Sequence, residues 1–265
     1  HDWFETPPGR YLLAWERAQF DHTVTDIFGY HALQLGLPEL DTLHANRMPH
    51  RWLATGEPVA MAGDAAAAPC RAALVTDFAA LPFAENSLDL VVLPHALELN
   101  ADPHATLREV ARVLVPEGRV VICGLNPASL WGLRQRRARL YQRLGFGTPF
   151  LPTAGEFIGY WRLRDWLRLL SFEVEMGNFG CYRPAVRSEK WLGRFRWMDW
   201  SGGHWWPIFG AVYFLVAVKR VHGMRLLSPA WKAPKGVAAA PVSVAHRACE
   251  ARVDGHDSQS WRASH

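Results

Sequence analysis

Two short apolar runs and the amphipathic segment between them constrain the fold of this 265-residue chain most. Leu88–Leu93 and Arg119–Cys123 consist mainly of Leu, Val and Ile, which is typical of strands buried on both faces of a sheet. In the segment between them, apolar residues recur at the spacing of a helix. Asp102-Pro103 supplies an N-cap and a first helical residue. A strand, a helix and a strand in this order predict an α/β sheet with helices on both faces.

Weaker patterns extend this sheet toward both ends of the chain. They indicate one helix and three strands before the apolar runs, and one helix and two strands after them. In chain order these elements cover residues 10–28, 32–37, 51–55, 73–76, 161–170, 172–177 and 211–218. Ligands of such sheets bind at the carboxyl ends of the strands, so the loops there are the places to look for chemistry.

Composition and charge argue against several classes of protein. Apolar residues make up 49% of the chain and charged residues 20%, which is typical of a globular domain. The net charge of +4 is concentrated in the last forty or so residues, so the nearly neutral body does not indicate a globally basic nucleic-acid binder. The cysteines form no CxxC pair and the histidines no HExxH motif. We therefore expect neither a disulfide framework nor a metal site.

The chain divides into a domain over 1–224 and a tail over 225–265. The tail is rich in Ala, Pro, Ser and charge and has no core segment, so we expect it to be disordered. The longest nearly apolar stretch, Trp205–Val218, is interrupted by Pro and Gly and is shorter than the roughly 20 residues of a membrane span. The first residues lack a signal-peptide pattern. We expect a cytoplasmic protein without a transmembrane segment.

A spaced pattern runs from Asp77 to Cys123. After Asp77 come Leu81-Pro82-Phe83, then Ser87-Leu88-Asp89, and then RVLVPEG over residues 112–118. These elements resemble the second half of a class I S-adenosylmethionine-dependent methyltransferase of the type 11 branch, whose members show an Asp, LPF, SFD and RVLKPGG in this order. The resemblance implies a Rossmann-like seven-stranded sheet of order 3-2-1-4-5-7-6, with strand 7 antiparallel, and S-adenosylmethionine as cofactor.

Four residues match or adjoin positions that the family uses at its site. The resemblance implies that Asp77 accepts a hydrogen bond from the adenine amino group, although it could instead cap its own loop. Phe78 could stack on the adenine, and Leu93 lies where the methionine arm of the cofactor would pass. His95 could orient or deprotonate a substrate, because imidazole titrates near neutrality, or it could be structural.

The first half of the chain departs from the family pattern. The usual glycine loop reads L-D-x-G-x-G, and the matching stretch here is Leu33–Pro38. Gly36 remains, but Gln34 replaces the acid and Pro38 replaces the second glycine. Proline offers no backbone N–H to a ligand.

The family also places an acid about 20 residues further on, where it binds the ribose hydroxyls. Our candidate for this role is Glu57, with Thr55 and Asp64 as alternatives. Asp89 matches a family position too, but we interpret it as the start of its strand.

Three further segments lie outside this pattern. A cluster of arginines could form a basic lid for an anionic substrate, RNA or lipid headgroups, or a solvated helix face. The Trp-rich segment 191–206 is expected to cover the sheet, with substrate stacking or a membrane surface as alternatives. Asn126-Pro127 resembles part of the NPPY motif of amino-methylating nucleic-acid enzymes, but it follows the fifth strand and we interpret it as a turn. The arginines are Arg134, Arg136, Arg137, Arg139 and Arg143.

The sequence thus leads to one main hypothesis and one alternative. The main hypothesis is a methyltransferase that acts on an unidentified acceptor, for example a small molecule. The alternative is a non-catalytic protein of the methyltransferase fold that binds a partner, lipid or RNA.

Overall fold

One seven-stranded sheet organises the computed structural model, which describes residues 3–56, 74–143, 151, 157–186 and 188–221. Glu57, Asp64 and the tail lie outside these residues, so their interpretation stays a prediction. The elements are α1 (Pro7–Thr25), β1 (His31–Leu35), β2 (His50–Thr55), β3 (Leu74–Val75), β4 (Leu88–Pro94), α2 (Ala96–Leu99), α3 (Pro103–Val113), β5 (Leu114–Leu125), α4 (Leu130–Arg143), α5 (Tyr160–Leu169), β6 (Phe172–Gly180), α6 (Glu189–Arg194), α7 (Trp197–Trp205), a 3₁₀ turn (Pro207–Phe209) and β7 (Val212–Lys219).

The strand order is the one that the resemblance implies. The sheet runs β3-β2-β1-β4-β5-β7-β6. Strands β1 to β5 pair in parallel, and β7 pairs antiparallel with both β5 and β6. The predicted fold class, including the antiparallel seventh strand, is therefore confirmed.

Alternation of side chains along the central strands creates two apolar layers. Leu90 and Val92 of β4 point to the layer that α1 covers. Val91 and Leu93 point to the opposite layer, which α3 and α5 cover. Successive strand residues face opposite sides of a sheet, so a continuous apolar run is what two covered faces require. The expected helices on both faces are present.

Helix α3 begins as predicted. Asp102 Oδ1 accepts a hydrogen bond from the Ala105 N–H at 2.9 Å, and Pro103 occupies the first helical position. The helix ends at Val113, and β5 then begins at Leu114 rather than at Arg119. Leu114 already pairs with Leu88, and the register shifts before Arg119 pairs with Leu90, so residues 115–118 form an irregularity within the strand.

Two further interpretations of the sequence need correction. The apolar patterns indicated no element between residues 123 and 161, but Leu130–Arg143 form α4. This helix is anchored by the buried Trp131, whose indole N–H donates to the Arg183 carbonyl at 2.7 Å. Arginines on the other faces of α4 interrupt the spacing of apolar residues that would predict a helix. The Trp-rich segment does not cover the sheet with its indole rings, because each of its five tryptophans is more than half exposed.

The elements that carry the family resemblance contact one another. Arg112 Nη2 donates to the carbonyls of Leu81 (3.2 Å) and Phe83 (2.9 Å) and to Glu109 Oε1 (2.6 Å). Glu109 Oε1 in turn accepts from the Leu81 N–H at 2.9 Å. The LPF segment and the end of α3 therefore form one structural unit.

Among the residues that the structure describes, none of the helices combines the length and the apolar character needed to cross a bilayer.

The Arg112 contacts give a first prediction. We expect Arg112→Met to lower the free energy of unfolding by about 1–3 kcal/mol, because charged hydrogen bonds to two carbonyls and a carboxylate are lost. Urea denaturation measures this. Arg108→Met, on an exposed position of the same helix, serves as the control and should have little effect. Equal effects of the two substitutions would contradict the structural role of Arg112.

Candidate functional site

The carboxyl ends of β1, β3 and β4 meet at one edge of the sheet, hereafter the carboxyl edge. Because β1 pairs in parallel with β2 and β4, Gly36 and His95 leave neighbouring strands at the same end. A methyl group on the Gly36 Cα would lie 3.7 Å from both Phe78 Cε2 and Ala96 Cβ. The structure thus brings together Gly36, Phe78 and the start of α2.

Gly36 has the backbone conformation that explains its residue type. Its φ angle is +78°, in the left-handed region that favours glycine. Its N–H donates to the Ala54 carbonyl at 2.8 Å and ties the loop to β2. The space around its Cα is not filled, since the nearest side chains lie at van der Waals distance. A side chain at this position is therefore opposed by backbone strain more than by a clash.

Gln34 holds the loop in the place of the family acid. The side chain is fully buried, and its Nε2 lies 3.1, 3.0 and 2.7 Å from the carbonyls of Gly36, Leu37 and Leu40. Its Oε1 accepts from the Thr42 N–H and hydroxyl. A carboxylate could not donate to these carbonyls. The amide is therefore part of how this loop is built.

The connection between β1 and β2 differs from the usual arrangement of such folds. Residues 36–49 are all described and contain turns but no helix. Asn46 fixes them by donating to the Val24 and Ile27 carbonyls, and the Arg51 guanidinium donates to carbonyls in the same loop. A cofactor at this edge would meet loop backbone rather than a helix N-terminus.

The other candidates for cofactor contact occupy different environments. Asp77 is exposed, and its Oδ1 accepts from the Ala79 N–H at 2.9 Å, so it caps its loop and keeps a solvent-facing carboxylate. Phe78 is buried beside Gly36. Leu93 is fully buried in the α3/α5 layer. Thr55, the alternative to Glu57, is buried at the end of β2, and its Oγ1 has no partner among the described residues.

His95 lies in a buried ionisable cluster. Its Nε2 is 2.7 Å from Glu16 Oε1, and its Nδ1 is 3.1 Å from Glu98 Oε2. Glu98 Oε1 also accepts from the Leu125 N–H, and the Cys123 thiol donates to Glu16 Oε1 at 3.4 Å. All four side chains are buried. We call these four residues the buried cluster.

The charges of the buried cluster argue against His95 as a base. Burial by itself lowers the pKa of His95, but Glu16 and Glu98 outweigh this and raise it to about 10. Burial raises the pKa of Glu98 and that of the Cys123 thiol. The imidazolium therefore bonds to a carboxylate through each nitrogen, which leaves no nitrogen to take a proton. These contacts favour the structural alternative for His95.

Glu16 is the residue of this site that sequence reasoning missed. It lies on α1 in a stripe with Leu12, Phe20 and Val24, all four residues apart and all buried. An acid within an apolar stripe was the available signal. Its Oε2 is buried and has no hydrogen-bond partner among the described residues.

We expected no metal site from the sequence, and the buried cluster contains the described residues that bear on this expectation most directly. Glu16, His95 and Cys123 offer ligand atoms within 4.8 Å of one another. The direct hydrogen bonds from His95 and Cys123 to Glu16 already account for their positions, so we assign no metal to them.

Arg134, Arg136 and Arg137 lie on exposed faces of α4, which follows the carboxyl end of β5. Arg139 is partly buried, with its guanidinium 5.4 Å from the centre of the Phe157 ring. Asn126 lies at a turn, where its Oδ1 accepts from the Ala128 N–H.

Comparisons with known proteins agree with this fold. Residues 56–122 match the type 11 family model described as a methyltransferase domain. This match supports the resemblance of the chain to class I methyltransferases of the type 11 branch. The match begins after the glycine loop, which is where the sequence departs from the family pattern.

One relative and two solved structures extend this comparison. The chain is 35% identical to the uncharacterized protein YafS of Escherichia coli strain K12 over 176 residues, which are 65% of either chain and thus just under two thirds of that relative. A chain of the complex that contains the Haloferax volcanii methyltransferase activator Trm112 matches with a TM-score of 0.55 and 19% identity, over 84% of this chain and 96% of its own. A SAM-dependent methyltransferase from Thermotoga maritima also matches with a TM-score of 0.55. The identity is 14%, over 83% of this chain and 93% of its own. At these identities the solved structures support the fold alone.

The role of Gln34 gives a second prediction. We expect Gln34→Glu to lower the free energy of unfolding by about 2–5 kcal/mol, because buried carbonyls lose their donor and face a carboxylate. Gln19→Glu is the matched control, since Gln19 accepts a hydrogen bond from Asn178 and Glu can still accept it. If both variants unfold at the same urea concentration, the loop does not depend on the amide.

The raised pKa of His95 gives a third prediction. In the unfolded chain the imidazole loses its proton near its ordinary value of 6.5, whereas the folded protein keeps it to about pH 10. The free energy that the imidazolium contributes to folding is complete below about pH 6.5 and is lost as the pH rises to about 10. The stability difference between the parent and His95→Gln should therefore shrink from about pH 6 to about pH 10. A constant difference in denaturation experiments would show that His95 is neutral in the fold.

Proposed function

We propose that this protein is an S-adenosylmethionine-dependent methyltransferase that binds its cofactor at the carboxyl ends of β1, β2 and β3. The observation that carries the proposal is the meeting of Gly36, Phe78 and the start of α2 at one edge. Gly36 is left-handed and opens a space beside an aromatic ring and next to the residue that ends β4. A cofactor with an adenine and a methionine arm would span these loops.

The residues present fit such a cofactor in part. The exposed carboxylate of Asp77 would accept from the adenine amino group, and the Phe78 ring would border the adenine. The Thr55 hydroxyl, buried without a partner among the described residues, would bond a ribose hydroxyl, with Glu57 as the further candidate. When bound, the cofactor supplies a methyl group carried on a sulfonium ion. Leu93 would support the site from the core.

On the acceptor side we assign different roles to His95 and Glu16. His95, as an imidazolium, orients the carboxylates of Glu16 and Glu98 and does not transfer a proton. Glu16 holds His95 from α1 and, being fully buried, does not contact the acceptor. Orientation of the reactants can supply much of the acceleration, so the chemistry does not depend on a strong base.

A specific observation supports the non-catalytic alternative. The connection over residues 36–49 has no helix, Gln34 occupies its interior and Pro38 removes an N–H. These features reduce the number of backbone donors available to a cofactor. Binding of cofactor separates the two functions. The cytoplasmic location expected from the sequence stays a proposal.

Cofactor titration gives the fourth prediction. We expect the full chain to bind S-adenosylmethionine and S-adenosylhomocysteine in calorimetry. Asp77→Ala should weaken binding by several-fold to about 150-fold, the loss of a hydrogen bond to a charged acceptor. Gly36→Val should weaken it more, because valine is strained at a positive φ.

Glu85→Ala is the matched control, since Glu85 is an exposed acid that precedes β4 at the opposite edge. It should bind like the parent. Absence of binding by the folded parent at millimolar cofactor would refute the enzyme and favour the non-catalytic alternative.

A further inference from the structure

An apolar surface lies on α6, α7 and the 3₁₀ turn. Seven large apolar side chains there are at least 45% exposed, with Trp200 at 78% and Trp205 at 70%. We call this surface the aromatic patch, and its residues are Trp191, Trp197, Trp200, Trp205, Trp206, Ile208 and Phe209. Large contiguous apolar patches on a protein surface mark interaction sites.

The aromatic patch borders a cavity of about 300 Å³. Trp197, Met198, Trp206 and Phe209 line it, and Leu130 of α4 closes one side. This volume is at the lower end of the range for small-ligand pockets. The patch is therefore not a flat array of exposed rings but includes a recess for an apolar group.

Basic residues continue this surface without a break. Leu130 lines the aromatic cavity and also a second groove, which runs along α4 past Arg134 and Arg137 to Tyr141. Arg136 is exposed on the same helix, and α4 contains no acid.

The acid of α7 does not offset this positive charge. Asp199 is paired with Arg183, whose Nε donates to it at 2.9 Å, and it also accepts from the Tyr11 hydroxyl. The combined surface therefore presents exposed indole rings beside an arginine-rich helix.

The position of this surface follows from the sheet. Leu125 at the end of β5 pairs with Val212 at the start of β7. The Asn126 side chain then donates to the Ile208 and Gly210 carbonyls, which joins the turn before α4 to the 3₁₀ turn. The aromatic patch and α4 consequently lie at the carboxyl edge, on the β5-β7-β6 side.

We infer that the aromatic patch and α4 form a docking surface for an anionic phospholipid bilayer. Tryptophan rings favour the boundary between headgroups and acyl chains, and arginines near an anionic surface attract it. The groove beside the rings is lined by Leu130, Leu133, Ala138 and Tyr141 as well as by Arg134 and Arg137. This mixture of apolar and basic groups fits an amphiphilic lipid surface better than RNA, whose backbone is bound along a positively charged groove. Docking orients the carboxyl edge toward the membrane. A methyl acceptor dissolved in the bilayer could then reach it, a consequence that rests on the proposed function.

Vesicle flotation of the full chain tests the docking. Vesicles of phosphatidylcholine and phosphatidylglycerol in equal parts should bind the protein, and vesicles of phosphatidylcholine alone should bind it much less. High salt should reverse the binding in part, because it screens the arginines. The experiment contains no cofactor, so a failure of the proposed methyl transfer leaves its result unaffected.

Two double variants separate the contributions of the rings and the charges. Arg136→Gln with Arg137→Gln should weaken binding about 25-fold, at about fivefold for each arginine. Trp200→Ala with Trp205→Ala should reduce it by at least about tenfold, because large exposed apolar contacts are removed. Phe28→Ala, an aromatic that is 73% exposed at the opposite edge, and Arg108→Gln are the matched controls and should bind like the parent.

Three outcomes would overturn the inference. The first is equal binding to both vesicle types, or binding that the two double variants leave intact. The second is a dimer in light scattering that the tryptophan variant dissociates, with no vesicle binding, which would assign the patch to a second copy. The third is salt-sensitive binding of single-stranded RNA without vesicle binding, which would assign it to RNA.

Discussion

The bonds between His95 and two carboxylates connect the elements on which the candidate site depends. Glu16 comes from α1, His95 from the end of β4, and Glu98 accepts from the backbone of β5 at Leu125. Charges buried in this way are costly by themselves, and removing one partner of a buried pair costs about 3–5 kcal/mol. The cluster therefore fixes α1 against the carboxyl edge. His95 reaches the cluster from a left-handed backbone position at the end of β4, where its N–H bonds to the Cys123 carbonyl.

The fold could be predicted well because the recognisable residues are the ones that build it. Arg112, Leu81 and Phe83 contact one another, and Asp89 accepts from the backbone N–H groups of Tyr30 and His31. Such contacts need particular residue types at fixed spacing, and the apolar runs need two covered faces. A resemblance carried by these residues predicts strand order. It says little about the ligand, since none of these contacts lies at the carboxyl edge.

The site was less predictable because its contacts join distant parts of the chain or replace a family residue. Glu16 lies 79 residues from His95 in sequence, and only its position in an apolar stripe hinted at burial. From the sequence, Gln34 is only a replacement of the family acid. The structure shows that its side-chain amide donates hydrogen bonds to three backbone carbonyls. The exposure of the tryptophans could not be read from their number, because tryptophan is favoured both in cores and at interfaces. Helix α4 was not predicted because its arginines interrupt the apolar spacing by which a helix is recognised in a sequence.

The two halves of the carboxyl edge are built from different chemistry, and this bears on what the protein does. On the β1-β2-β3 side, backbone and small polar groups around Gly36 and Thr55 suit a polar cofactor. On the β5-β7-β6 side, indole rings and arginines suit an amphiphilic surface. The buried cluster lies between the halves. Burying seven large apolar side chains would stabilise the fold, so their exposure at this edge is accounted for by contact with another surface. The proposed bilayer would supply that contact, beside the half of the edge where we propose that the cofactor binds.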